Sequence, residues 1–257
     1  MTLFEEVDFN SISFLVILTL LIAEIILIRY LIISGAYHFL FYKFLKKQFN
    51  HRILDHKPYK QNQLLKEIYW SAISGLIFAA FGVFMYYLWT IGVTSIYTEF
   101  AEYPLWYIPI SIGLLLFIQD TYYYWIHRWM HLPSVYRYFH KIHHKSIHSS
   151  VLTSFSFHPL ETFLQILILP VIIIFLPLHL YTLIFTLLLM TLSATINHAG
   201  VEIYPKGGVW DIFSKWVIGA THHDHHHRKF NYNYGLYFTF WDIWMHTEYE
   251  EKKEKKI

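Results

Sequence analysis

Charged residues disappear from two long stretches of the chain: residues 68–98 contain no Asp, Glu, Lys or Arg, and neither do residues 162–201. A hydrocarbon layer of about 30 Å is crossed by about 20 helical residues, so both stretches predict membrane helices. Residues 12–41, interrupted by Glu24 and Arg29, predict another, and residues 104–130 a further one. At about 1.5 Å per residue, the second uncharged stretch is about twice the bilayer depth. Pro177 interrupts it near the middle, so it predicts a helical hairpin. The predicted fold class is therefore all-α, a polytopic integral membrane protein with four to five hydrophobic helices. Glu24 and Arg29 are expected to pair while facing neighbouring helices rather than lipid.

Polar residues between these stretches orient the chain. The linker of residues 43–66 carries Lys43, Lys46, Lys47, Arg52, Lys57, Lys60 and Lys66 against the single acid Asp55. The opening segment (Glu5, Glu6, Asp8) and the turn containing Glu99 and Glu102 are acidic with no base. By the positive-inside rule the chain starts outside, and every basic residue except Arg29 falls on the cytoplasmic face. The opening residues lack a basic region and a small-residue cleavage site, so the first helix is expected to remain as an anchor. Three parts are expected: residues 1–103, with the first helices and basic linker; residues 104–246, a catalytic domain; and residues 247–257, a charged tail.

Composition then narrows the chemistry. With no cysteine among 257 residues, disulfides, thiolate metal sites and cysteine nucleophiles are excluded. A formal charge of +2 gives no argument for nucleic acid as a partner. The 18 histidines equal the 18 acids in number, which is the anomaly to explain.

Twelve of these 18 histidines lie in two segments, residues 127–158 and 222–227, that the topology puts on one face. His127 and His131 are four residues apart and share a helical face. His140, His143 and His144 repeat the pattern, as does the run of His222, His223, His225, His226 and His227. Imidazole is a common ligand for iron, zinc and copper, and its neutral form is available near pH 7. This many ligands exceeds the capacity of one ion, so two ions are expected at a histidine-rich dinuclear site. Neutral ligands leave such a pair strongly positive, suited to reducing dioxygen or holding a hydroxide.

The ordered series HxxxH, HxxHH, Phe157-His158-Pro159, Asn197-His198, HHxxHH and Phe230-Asn231-Tyr232-Asn233-Tyr234-Gly235 resembles the fatty acid hydroxylase superfamily, in particular its sterol desaturase branch. The resemblance covers residues 104–241. It implies a membrane-bound di-iron oxygenase that hydroxylates or desaturates a lipid in lipid biosynthesis, using dioxygen and two external electrons. It also implies a ligand set of His127, His131, His140, His143, His144, His158, His198, His222, His223, His226 and His227. The last box has two registers, one on His223, His226 and His227 and the other on His222, His225 and His226, which leaves His225 beside the site rather than in it. Asp120, two turns before His127, and Glu161, near His158, are candidate acceptors for the outward N–H of a ligating ring. His148 has no motif partner. His38, His51, His56, His179 and His246 are read as structural.

The cofactors expected are two iron ions, with zinc able to substitute in a preparation. No nicotinamide or flavin glycine fingerprint is present, so electrons would come from a partner such as cytochrome b5 or a ferredoxin with its reductase. The membrane would be the endoplasmic reticulum of a eukaryote or the inner membrane of a bacterium. The rivals are a histidine-rich metal transporter, which needs ionisable residues along its path, and a zinc hydrolase, which would leave most of the histidines unused.

Overall fold

The structure is a computed structural model and describes residues 11–249. The acidic opening segment and residues 250–257 of the tail lie outside the described residues. The helices in chain order are α1 (Ile12–His38), α2 (Lys46–Phe49), α3 (Gln63–Thr90), α4 (Tyr107–Met130), α5 (Pro133–Phe139), α6 (Pro159–Ile166), α7 (Ile168–Phe175), α8 (Leu180–His198), α9 (Val209–Ser214), α10 (Ala220–Lys229) and α11 (Phe240–Trp244). The strands β1 (Ile96–Tyr97) and β2 (Leu178–His179) form one short parallel pair.

Among the described residues, three helices are long and apolar enough to cross a membrane: α1 with its π-helical extension to Phe44, α3, and α8. α4 has the length, at 24 residues, but Gln119, Asp120, His127 and Arg128 dilute its hydropathy. The expected hairpin is present in a modified form. Its first arm is split into α6 and α7, because Pro170 has no N–H and its ring crowds the carbonyl of Ile166. Its second arm is α8, and the turn lies at Leu176-Pro177, beside β2.

The β pair fixes which helix ends lie together. β1 precedes α4 and β2 precedes α8, and Ser95 reinforces the link by donating its N–H to Ile173 O and its hydroxyl to Ile174 O. α4 and α8 therefore start at one end of the molecule and deliver His127 and His198 together at the other. An apolar cluster of Leu115, Ile172, Ile173, Leu178 and Leu183 packs between them near the β end.

The N-terminal helices grip the histidine end. Tyr30, Ser34 and Tyr37 recur at helical spacing along α1, and their hydroxyls donate to the carbonyls of Leu152, Val151 and Val201 at 2.7, 2.9 and 3.4 Å. Tyr42 continues the row with a 2.7 Å bond to Ala199 O. The first helices are thus bonded to the segment that carries the histidines, and at the other end Thr247 N bonds Asp242 O and Tyr249 N bonds Asn233 Oδ1. The expected pairing of Glu24 with Arg29 is not formed; Glu24 is on an exposed face of α1, and Arg29 Nε is buried without a partner.

Candidate metal centre

Nine histidines from four places in the chain converge in two groups. His127, His131, His140, His144 and His226 form one; His143, His198, His223 and His227 form the other, and within each group the nearest ring nitrogens lie within 4.8 Å of one another. Local structure explains how they arrive. α4 ends at His131, and Pro133 opens α5 with the preceding Leu132 extended, so the chain reverses immediately after the first pair. His140 caps α5, and a single 3-10 turn then presents His143 and His144. α10 turns His223, His226 and His227 inward. Its start is packed too tightly for any side chain at Gly219, where a Cβ would lie 2.8 Å from the Tyr204 ring.

The outward nitrogens decide the chemistry of the inward ones. Nδ1 of His127 donates to Tyr234 O at 2.8 Å, that of His226 to Tyr232 O at 2.7 Å, and that of His198 to Ala194 O at 2.8 Å. His140 Nδ1 faces Glu161 Oε1 at 2.7 Å and His143 Nδ1 faces Ser156 O at 3.4 Å. A neutral ring whose Nδ1 carries the proton has a bare lone pair at Nε2. Yet His127 Nε2 and His140 Nε2 are 2.9 Å apart, and His198 Nε2 and His143 Nε2 are 3.2 Å apart. Two lone pairs repel at that distance unless a cation lies between them. Nitrogens held about 2.1 Å from one ion at a right angle are about 3.0 Å apart, so the donor set fits metal ions. His131 Nε2, buried with no partner, supplies another free donor to the first group.

Burial keeps these rings neutral. His140, His143, His144, His223, His226 and His227 are all held well below the ordinary imidazole value, first by desolvation and then by neighbouring imidazoles that would also become charged. They are therefore ready to bind metal without first losing a proton.

Other expected residues are placed elsewhere. His158 caps α6, its Nδ1 accepting from Leu160 N at 3.2 Å, because Pro159 fixes the helix start and leaves His158 as the acceptor for an orphan N–H. His222 is turned to Asp242, 3.3 Å from Oδ2, and His225 packs on the Tyr249 ring on the outer side of α10. Glu161 meets His140 rather than His158. Asp120 meets no histidine: its Oδ1 accepts the N–H groups of Leu236, Tyr237 and Phe238 and so fixes the loop that carries Tyr234. The motif from Phe230 to Gly235 contributes backbone carbonyls as well as rings, and Asn233 adopts the left-handed conformation, at φ 60°, that lets its neighbours' carbonyls face His127 and His226.

Two carboxylates had escaped sequence reasoning. Buried Asp242 accepts from Tyr234 N, Gly235 N and the Thr247 hydroxyl. Buried Glu67, from α3, accepts from Gln63 Nε2 and from the hydroxyls of Ser146, Ser150 and Thr153, which fixes the loop following His144. Asp242 carries a signal in sequence, a lone acid between Trp241 and Trp244; Glu67 looks like the end of a solvated basic linker.

Comparison with known proteins agrees with this geometry. The sequence model of the fatty acid hydroxylase family matches residues 112–247. Human lathosterol oxidase is 32% identical over 200 residues, covering 76% of this chain and 64% of that protein. A Delta(7)-sterol 5(6)-desaturase of Candida dubliniensis is 36% identical over 205 residues, covering 76% of this chain and 49% of that protein. The chain thus spans about half to two thirds of the length of these curated relatives. No solved structure gives a significant match. With the family match covering more than half of the chain and sterol desaturases and oxidases among its relatives, the protein belongs to the fatty acid hydroxylase family, in its sterol desaturase branch.

Proposed function

We propose that this protein is a membrane-bound di-iron oxygenase that hydroxylates or desaturates a lipid, sterol-like or fatty acyl, in lipid biosynthesis. The observation that carries this reading is the pairing of bare Nε2 lone pairs across each histidine group, which calls for a cation in each. The names of the relatives, oxidase and desaturase, favour a redox metal over a hydrolytic one. Iron bound there would supply the oxidising power, drawn from dioxygen and two external electrons, to remove hydrogen from an unactivated C–H bond.

The chain's own residues have separate tasks in this scheme. The nine imidazoles hold the ions, while Tyr232 O, Tyr234 O, Ala194 O, Ser156 O and Glu161 fix ring tautomer and direction. α4, α6 and α8 leave apolar side chains toward lipid at the same end as the histidines, so a lipid reaches the site laterally. The basic linker of residues 43–66 supports a cytoplasmic side for this end, where a donor such as cytochrome b5 or a ferredoxin would deliver electrons.

Membranes supplied with ferrous iron, a donor system and dioxygen are expected to convert an added sterol or acyl lipid, to stop without oxygen, and to be inhibited by zinc. Turnover without oxygen, or activation by zinc, would overturn the oxygenase reading. Cysteines placed at Gln61 and Glu102 are expected to label from opposite sides of the membrane, that at Gln61 from the cytoplasm.

A further inference from the structure

Between the histidines of α8 and those of α10, the chain makes an excursion that the metal site does not use. Within residues 209–216, Val209 and Ile212 are 76% and 68% exposed, and Trp210, Phe213 and Trp216 are 43–50% exposed. Such a concentration of large apolar groups in water is unusual for a soluble surface.

Hydrogen bonds give the depth of this segment. Residues 215–218 pair with residues 237–239: Ile218 N bonds Tyr237 O at 2.9 Å, Thr239 N bonds Trp216 O at 3.2 Å, and Val217 bridges Phe238. That partner segment runs along α4 away from the histidine end. Leu236 O accepts from Asn197 in the last turn of α8. Tyr237 N and Phe238 N then bond Asp120, two turns inward of His127 on α4, and Phe240 stacks on Phe117, a turn deeper still, with ring centroids 5.4 Å apart. Trp241 Nε1 bonds Thr121, and Thr247 returns to Tyr124. Taking the end of α8 as the boundary, residues 216–218 therefore sit beside groups bonded to Asp120, about 5–10 Å inside it at about 1.5 Å per helical residue, and α9 leads directly into them.

From this juxtaposition we infer that residues 206–217 form a lipid-inserting finger, with Val209, Trp210, Ile212 and Phe213 seated among the acyl chains of the leaflet on the histidine side. The remaining chemistry of the segment matches that position. Its back carries Asp211, which accepts from Gly207 N, and faces a cavity that includes Lys206, Lys215 and Glu248, so the element is amphipathic. Tryptophan favours the level where headgroups meet acyl chains, and helices with one apolar face lie about 5–10 Å deep in that zone. Lys206 and Lys215 flank the apolar residues and have stems long enough to return their charge to the headgroups. The partner is thus the bilayer, which the exposed apolar side chains of α4 and α8 also require.

The chain has no cysteine, so single labelling sites are clean. Ile212→Cys and Val209→Cys, each carrying a nitroxide, would be reconstituted in phosphatidylcholine vesicles at low protein density. Collision rates with oxygen, which concentrates in the acyl region, and with a water-soluble nickel chelate are compared with Leu20→Cys on the lipid face of α1 and Gln61→Cys in the basic linker. Both finger positions are expected to favour oxygen, as Leu20→Cys does. Preference for nickel at either position, as at Gln61→Cys, overturns the inference. Suppression of both collisions together also overturns it, because the face is then covered by a second copy of the chain. The readout is independent of catalysis and of metal loading.

Discussion

Five of the nine inward imidazoles are fixed by what their outward Nδ1 touches, whereas Nδ1 of His144, His223 and His227 is buried with no partner. His140 differs from the others in meeting a carboxylate, Glu161, which itself accepts from Gln165 Nε2 at 3.1 Å. Glu161→Ala is expected to lower metal affinity by about 10–100-fold, with Glu161→Gln losing less because its carbonyl can still accept; metal content after graded chelation measures it. His127→Ala, His143→Ala and His226→Ala are expected to lose bound metal and activity, whereas His158→Ala keeps its metal and loses about 1 kcal/mol of stability as a lost helix cap. Acid provides a further test of the same rings. The unfolded chain takes up protons at the ordinary imidazole value of 6.5, while buried His143, His144, His223, His226 and His227 take them up only well below it. The metal-free protein therefore keeps its full stability above about pH 6.5 and loses up to about 1.4 kcal/mol per pH unit per histidine as pH falls below it. Melting of chelated protein in detergent between about pH 8 and pH 5 checks the sign, and a flat melting temperature would refute it.

At the scale of elements, the polar row on α1 has an effect beyond anchoring. Tyr30 and Ser34 donate to the carbonyls of Leu152 and Val151, in the buried loop between His144 and Glu161, so a membrane helix sets the shape of a loop beside the histidines. Tyr30→Phe with Ser34→Ala is expected to cost about 1–3 kcal/mol, measured by thermal melting, with metal leaving over the same transition. The absence of charge made the long helices legible in sequence, because lipid leaves few alternatives to a helix; α1 and α4 lie close to the expected bounds, while α3 begins earlier, inside the charged linker, and ends at Thr90, well before the next charge. The split between α6 and α7 follows from Pro170, although Pro177 was the more visible interruption. What the pattern could not give is which carboxylate meets which ring: Glu161 lies three residues from His158 in sequence, but α6 carries it to His140. The spacing of the boxes pointed to the histidines that share a helical turn and converge in these groups, and could not distinguish His158 and His222, whose rings satisfy local needs at a helix start and at Asp242.

For the whole molecule, the family match begins at residue 112, yet the ordered unit reaches back to α1 and α3. Glu67 stands outside the matched region and holds Ser146, Ser150 and Thr153 inside it. Glu67→Ala strands four buried donors at roughly 1–3 kcal/mol each before relaxation, so loss of a folded, metal-retaining protein is expected, checked by detergent melting and metal analysis. The two histidine groups are also not separate modules. His143 and His144 are consecutive but belong to different groups, and so do His226 and His227. A shift of either peptide moves a donor in both groups at once, so under the proposed two-ion site, filling one position would stiffen part of the other. Iron added below two equivalents is therefore expected to divide the population into empty and doubly filled molecules, with few half-filled, as native mass spectrometry can count. In a cell short of iron, such a protein would change in number of working copies rather than in the quality of each.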